Sequence, residues 1–308
     1  MHTIGFMVPA MAPDATATST IDFARHAEAL GADSVWVPDR LLYRSPEALV
    51  TLAAIAAVTS RVRLGTNVLL GVLRPPVLLA KTLATLDVLS GGRLIVGLGV
   101  GSRADDFSAS QVPIRQRGAR MDELVDFLEL AWTGAPLQFA GRFLQVDVGA
   151  LGEQPVQKPH PPIWFGGGAD AVLRRVARVG DGWIASTSTG LAGFTPRWSQ
   201  IQRYAAEYGR DPTTITPAAL MQFSIDTDRD RAQAAMHAYL TRSYNPARAE
   251  NLGPMTGTPE DLIRGAESFF NAGVQLLILS SITADPAHLD LLAESVLPRL
   301  ALTLTPDP

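Results

Sequence analysis

Four short stretches of this chain carry residue types able to do chemistry. Gly166-Gly167-Gly168-Ala169 lies between an apolar run, Ile163-Trp164-Phe165, and a helix expected to begin near Asp170. Glycines there let backbone N–H groups approach an anion, and a helix N-terminus adds about half a positive charge. The same run also reads as a tight turn in which any side chain would clash. Asp39, just after the run Ser34–Val37, is either a ligand-facing carboxylate or a turn cap, with Arg40 and Arg44 near enough in sequence to neutralise it. Asp105 and Asp106 fall in a connection at 102–115, where a solvated loop is the plain reading. Arg117 and Arg120 with Asp122 and Glu123 have the spacing of a charge network along one helix face.

Several chemistries are excluded by what is missing. The five histidines, at positions 2, 26, 160, 237 and 288, show no His-x-His or His-x-x-x-His spacing, so a histidine-based metal hydrolase has no ligand set. Cysteine is absent, which removes disulfides, a thiol nucleophile and Cys-ligated metal centres. Neither lysine, Lys81 or Lys158, has the buried setting of a Schiff-base lysine. With 26 basic and 30 acidic residues the net charge is −4, which gives no footprint for nucleic acid or anionic membrane. A hydrophobic fraction of 47% against 18% charged residues supports a large core. No apolar run reaches the ~18 residues that span a bilayer, and no signal-peptide pattern opens the chain. The expectation is a cytoplasmic protein without a metal.

The elements that must position these residues alternate from end to end. Strand-like runs occur at Thr3–Val8, Ser34–Val37, Val62–Leu69, Leu94–Leu98, Pro162–Phe165, Gly182–Ser186, Ala219–Ile225 and Val274–Leu279. Most are continuously apolar, the pattern of parallel strands buried on both faces. Helical segments follow each: one opened by Thr18 and closed by Leu30-Gly31, then 47–60, 76–90, 116–133, 169–179, 192–209 and 228–243. Thr258-Pro259-Glu260-Asp261 and Asp285-Pro286 start the last two. Eight successive βα units predict one α/β domain over 1–308, a (β/α)8 TIM barrel with short insertions. A doubly wound sheet would need a Gly-x-Gly-x-x-Gly turn after its first strand, and Gly97-Leu98-Gly99-Val100-Gly101 follows the fourth. Residues 134–161 read as a small hairpin, Leu137–Ala140 and Phe143–Val148, on the face opposite the catalytic one. His160 is expected to pack in its loop, Trp164 and Trp183 to be core, and the tail after Leu304 to fray.

Since catalytic groups of such barrels come from the C-terminal ends of the strands, the site must be assembled from a few glycines, small polar residues and backbone groups. That poverty of acid–base side chains suggests that a bound cofactor carries the chemistry. The stretches Ala29–Val37, Arg63–Val68, Leu83–Asp87, Ser90-Gly91-Gly92-Arg93, Gly97–Gly101, Pro161–Gly168 and Gly180-Asp181-Gly182-Trp183 together resemble the bacterial luciferase-like family of barrel flavoenzymes, which use FMN or the deazaflavin coenzyme F420. The similarity is strongest through residue 190.

The resemblance implies a cofactor ring lying over Asn67-Val68, whose peptide bond is often cis in this family. It also implies that Asp39 faces the ring, and that Val100, Gly101 and Asp105 contact the polyol or ring edge. Gly167, Gly168, Ala169, Ala171 and Val172 then receive the phosphate. No lysine lies near that turn, so backbone and helix dipole, rather than a point charge, are expected to hold it. Arg40 and Ser102 stand where the sugar-phosphate dehydrogenase branch has a histidine and a glutamate, so those roles do not carry over. The oxygenase histidines are likewise missing, and the catalytic acid or base is unassigned.

The reading is an F420-dependent oxidoreductase, with FMN as the alternative, that passes hydride or oxygen to a small organic substrate chosen by loops 102–115, 187–198 and 245–257. A homo-oligomer and a separate reductase are compatible with it. Two other readings stay open: a catalytically silent flavin-binding barrel, and a cofactor-free hydrolase or isomerase using Asp39 and Asp226.

Overall fold

The computed structural model describes residues 2–43, 45–243, 249–250 and 252–302. Arg44, the end of the tail and part of loop 245–257 lie outside the described residues.

Eight parallel strands close on themselves: β1 (Thr3–Met7), β2 (Ser34–Val37), β3 (Arg63–Thr66), β4 (Leu94–Leu98), β7 (Ile163–Gly166), β8 (Gly182–Ala185), β9 (Thr216–Ile225) and β11 (Leu276–Ser281). Closure is made where β8 pairs with β9, Gly182 opposite Thr216, and where β11 joins β9 to β1. Between them run α1 (Ala17–Ala29), α2 (Ala48–Ala56), α3 (Pro76–Ser90), α5 (Arg117–Ala131), α6 (Asp170–Val179), α7 (Gly190–Glu207), α8 (Arg229–Ser243) and the helices Pro259–Asn271 and Pro286–Ser295. A two-residue strand, β10 (Thr256–Gly257), extends the end of β9. The result is the expected (β/α)8 barrel.

Four details differ from the sequence expectation. The first helix is capped by Thr16, which exchanges hydrogen bonds with Ser19, rather than by Thr18. The third strand stops at Thr66 instead of Leu69, because the chain turns at Asn67-Val68. The hairpin comprises β5 (Pro136–Ala140) and β6 (Gln145–Ala150). Its turn is shaped by the Glu123 carboxylate, which accepts the N–H groups of Arg142, Phe143 and Leu144 at 2.8, 2.8 and 2.6 Å. The connection 102–115 is not an open loop: it contains α4 (Ala104–Ala109) and a 3-10 turn at Ile114–Gln116.

Side chains alternate between two cores. Val35 and Val37 face the helices, whereas Trp36 joins Ile95, Trp164, Ile184, Ala218, Leu276 and Ile278 inside the barrel. Two indoles, 5.4 Å apart between ring centroids, take up much of that interior. They fit because neighbouring strands carry no side chain beside them: a Cβ on Gly65 would lie 2.2 Å from Trp36, and one on Gly182 2.4 Å from Trp164. Met7, Val68 and Leu220 pack above this layer and become the floor of the open end.

The opposite end is tied by side chains bonded to backbone. Arg93 donates to the carbonyls of Ala56, Thr59, Val62 and Ser90, Glu28 accepts the N–H groups of residues 60–62, and Asp87 binds Gln157. These groups explain several of the family-like stretches as fold-holding rather than chemical.

His288 plays a comparable role beside β9. Its Nε2 accepts Ile225 N–H at 3.1 Å, so Nδ1 carries the proton and donates to Ser281 Oγ at 2.8 Å, whose hydroxyl in turn donates to the Thr283 carbonyl. This Ser–His pair is wired away from nucleophilic use. Burial pushes the imidazole down to about 4. Its stabilising contribution is therefore complete above the unfolded value of about 6.5 and is lost as pH falls toward 4. Urea denaturation should show wild type losing about 2 kcal/mol more between pH 7 and pH 5 than His288→Gln, which cannot titrate there. Parallel losses in the two proteins would refute this.

Candidate active site

The C-terminal ends of the strands surround a cavity of about 540 Å³, within the usual range for small-molecule and cofactor sites, about 300–1,000 Å³. Its walls include Gly99–Gly101, Gly166–Ala169 and Ser186–Ser188. The Val68 isopropyl group occupies the space that side chains at two neighbouring strand ends would need. A Cβ on Gly99 would sit 2.3 Å from Val68 Cγ2, and one on Gly166 2.7 Å from Cγ1. These positions are bare because Val68 fills them, leaving a smooth apolar step at the mouth.

The Asn67–Val68 peptide bond is cis. Asn67 N–H donates to the Val37 carbonyl and Leu69 N–H to that of Gly97, so the bend stays stitched to both neighbouring strands. The Asn67 side chain also lines the cavity, and its buried Nδ2 has no hydrogen-bond partner. Leaving such a donor unpaired costs about 1–3 kcal/mol, so the arrangement makes physical sense when a ligand completes it.

Asp39 lines the same cavity, but its carboxylate is heavily engaged. Oδ2 accepts Leu70 N–H at 2.8 Å and Arg74 Nη1 at 2.7 Å, while Oδ1 accepts Arg74 Nη2 at 3.1 Å. The neutralising cation is thus Arg74, thirty-five positions away, and not Arg40, which lines the mouth with no polar partner among the described residues. Arg74 is braced from the far side by Glu47 at 2.6 Å. Asp39 therefore anchors the segment 67–74 that carries Asn67 and Val68.

The glycine turn brings backbone groups and a helix N-terminus to the cavity wall. Gly167, at φ +123°, takes a conformation that side-chain-bearing residues rarely adopt, and its carbonyl accepts Trp183 Nε1–H at 2.7 Å. Ala169 caps α6, whose first N–H groups point toward the cavity end. A point charge does stand here, contrary to the sequence expectation: Arg197 on α7 donates through Nε to the Gly168 carbonyl at 3.2 Å and through Nη1 to that of Gly193 at 3.0 Å. Val172 lines the cavity; Ala171, one residue earlier, is exposed and does not.

After β4, Gly101 at φ +72° turns the chain over the mouth, and buried Phe107 packs on it. Val100 and Gly101 line the cavity, as does Asp106, 2% exposed. Asp105 instead points away, exposed and near the Tyr43 hydroxyl at 3.5 Å. Arg103 lies 3.9 Å from the centre of the Tyr43 ring, and Arg117 also reaches the mouth. Arg120, Asp122 and Glu123 serve the surrounding framework, through Phe143, Arg175 and the hairpin turn respectively. His160 packs near Trp132, and both Trp164 and Trp183 are buried in the core.

Asp226 belongs elsewhere. It borders a separate recess with Asp14 and His288, and the Arg231 guanidinium holds its carboxyl down at about 2. Asp39 and Asp226 share no cavity, which removes the two-aspartate hydrolase reading. Among the described residues no group of three or more His, Cys, Asp or Glu side chains could hold a metal, and no helix is long and apolar enough to cross a membrane.

Fold and mouth together define a closed parallel (β/α)8 barrel whose C-terminal cavity is bordered by a glycine turn after its fifth barrel strand. The chain belongs to the luciferase-like monooxygenase family, which it matches over residues 2–269. It is 32% identical over 221 residues to an F420-dependent glucose-6-phosphate dehydrogenase of Kineococcus radiotolerans, covering 68% of this chain and 65% of that one. It is 27% identical to the corresponding Nakamurella multipartita protein over 91% of each chain. The chain thus spans just under two thirds of the first of these relatives. Among solved structures, a monooxygenase from Streptomyces bottropensis superposes with a TM-score of 0.86 at 24% identity, over 96% of this chain and 99% of that one.

Asp39→Ala should destabilise the protein by about 3 kcal/mol, because it strands Arg74 beside a half-buried segment and frees Leu70 N–H. Chemical denaturation of Asp39→Ala, Arg74→Met and the double variant tests this. A double variant no less damaged than the sum of the singles would show that the pair does not act as a unit.

Proposed function

We propose that this chain is an oxidoreductase that uses coenzyme F420, with FMN as the alternative, to reduce, oxidise or oxygenate a small organic substrate. The observation that carries this reading is the pairing of an unsatisfied mouth with an anion turn. Asn67 Nδ2 and Asp106 Oδ1 are buried without partners among the described residues, and the Gly167–Ala169 turn, whose Gly168 carbonyl accepts from Arg197, borders the same cavity. A planar heteroaromatic ring bearing a phosphate tail meets both needs. When bound, such a ring supplies hydride transfer, or oxygen activation in the FMN case.

The chain's own residues have definable tasks in this reading. Val68, Met7, Ile184 and Leu220 give the ring an apolar floor. Asn67 offers its amide to a ring heteroatom. Gly167, Gly168 and the first turn of α6 hold the phosphate with backbone N–H groups, and Arg197 adds its charge. The F420 dependence of the named relatives supports the deazaflavin over FMN, and no histidine lines the mouth among the described residues. Arg40 and Ser102 occupy the positions where the sugar-phosphate branch has its histidine and glutamate, so glucose 6-phosphate is not carried over as substrate.

We also infer self-association. Helix α2, Ala-Leu-Val-Thr-Leu-Ala-Ala-Ile-Ala, has no charged residue although one side faces solvent, and Val50 is 70% and Leu78 62% exposed on the groove it forms with α3. A helix apolar all round is normally covered on all sides. A second copy of the chain supplies matching apolar surface. The FMN reading would further need a reductase partner to supply reduced cofactor.

Fluorescence titration with F420 and FMN side by side tests the main reading, and saturable binding of at least one is expected. Wild type should bind FMN more tightly than riboflavin, which lacks the phosphate, by about 10–200-fold, as expected for a charge-assisted contact. Gly168→Val, whose Cβ would lie 2.7 Å from Arg197 Nε, should lose most of that preference while remaining folded. No binding of either cofactor would sink the proposal. Sedimentation analysis should find wild type dimeric and Leu78→Glu monomeric; a monomeric wild type at tens of micromolar would refute the self-association.

A further inference from the structure

We propose that Asp106 is the proton-exchanging residue of the mouth, giving or taking the proton that accompanies hydride transfer; this rests on the cofactor reading above. Among the described residues, five ionisable side chains line the cavity: Asp39, Arg40, Arg103, Asp106 and Arg117. Arginines do not release protons in proteins. Both Asp39 carboxyl oxygens are already taken up by the Arg74 guanidinium and Leu70 N–H. By elimination among the described residues, Asp106 is the carboxyl left to trade a proton with a ligand.

Its geometry supports that role independently. The residue is 2% exposed, and its Oδ1 is buried with no hydrogen-bond partner. It is nevertheless held in place: its N–H is bonded by the Asp105 carboxylate, its carbonyl accepts both N–H and Oγ–H of Ser110, and Phe107 clamps α4 onto Gly101. A buried carboxyl fixed by its backbone, with one oxygen unpartnered among the described residues, is a poor structural device. It costs stability that only an occupant of the cavity can return. The charges around it are Arg103 at the start of α4, exposed Asp105, Arg117 at the start of α5, Arg40 after β2 and the Asp39–Arg74 pair.

In the reducing direction a bound reduced deazaflavin or flavin would supply a hydride, with its two electrons, to a substrate carbonyl carbon, the C=O π pair moving to oxygen. That oxygen takes the proton from the Asp106 carboxyl, giving an alcohol, and the carboxylate regains a proton from solvent at the open mouth. The oxidising direction reverses each transfer.

The test reads proton linkage rather than turnover. Dissociation constants for F420 and for FMN are measured by fluorescence from pH 5 to 9 for wild type, Asp106→Asn, Asp106→Glu and, as a neighbouring carboxylate, Asp105→Asn. Wild type should show a one-proton step, about tenfold in Kd per pH unit across it. Asp105→Asn should retain the step, Asp106→Glu should retain it at a shifted pH, and Asp106→Asn should vary by less than twofold throughout. A step that persists in Asp106→Asn, a wild-type profile with no step, or loss of the step in Asp105→Asn would overturn the assignment of Asp106 while leaving cofactor binding intact. Failure of wild type to bind either cofactor would instead remove the reading beneath it.

Discussion

Two indoles must share the inside of one eight-stranded barrel, and much of the mouth follows from that. Trp36 and Trp164 fill the middle of the interior only because Gly65 and Gly182 present nothing beside them. With the barrel plugged, the next layer up can be shallow. Met7, Leu220 and the Val68 side chain cover the indole layer, and Gly99 and Gly166 are bare so that Val68 can lie flat across the end of the barrel. Dense packing below thus produces a floor with little relief above, suited to a planar molecule rather than a branched one.

Polar groups around that floor divide into those already paired and those held ready. Asp39, Arg74 and Glu47 form a chain of opposite charges that fixes the segment after β3. Asn67 and Asp106 keep buried atoms unpaired at the cavity wall. Groups of the second kind can meet a ligand without first breaking an internal bond, and Asn67 and Asp106 sit on connections that follow neighbouring barrel strands.

The barrel was largely legible in the sequence, because buried parallel strands are continuously apolar and each is followed by helix-start chemistry. The glycine turn was legible for the same local reason. What could not be read were meetings between distant positions. Arg74 reaches Asp39 across thirty-five residues, and Arg197 reaches Gly168 across twenty-nine; neither spacing has a local signature. The difference between Asp105 and Asp106 depends on where one short helix turns its faces, and six residues are too few for a periodic pattern to show that. Phe107, an aromatic residue out of place in a solvated connection, is the local signal of helix α4.

The backbone-binding side chains at the closed end have an evolutionary consequence. Arg93, Glu28 and Asp87 secure the turns there, while much of the cavity wall hangs from connections at the other end. Inheritance can therefore act on the two ends separately. A lineage can lengthen or recompose the segments over the mouth, and so acquire new molecules to work on, without having to solve barrel closure again.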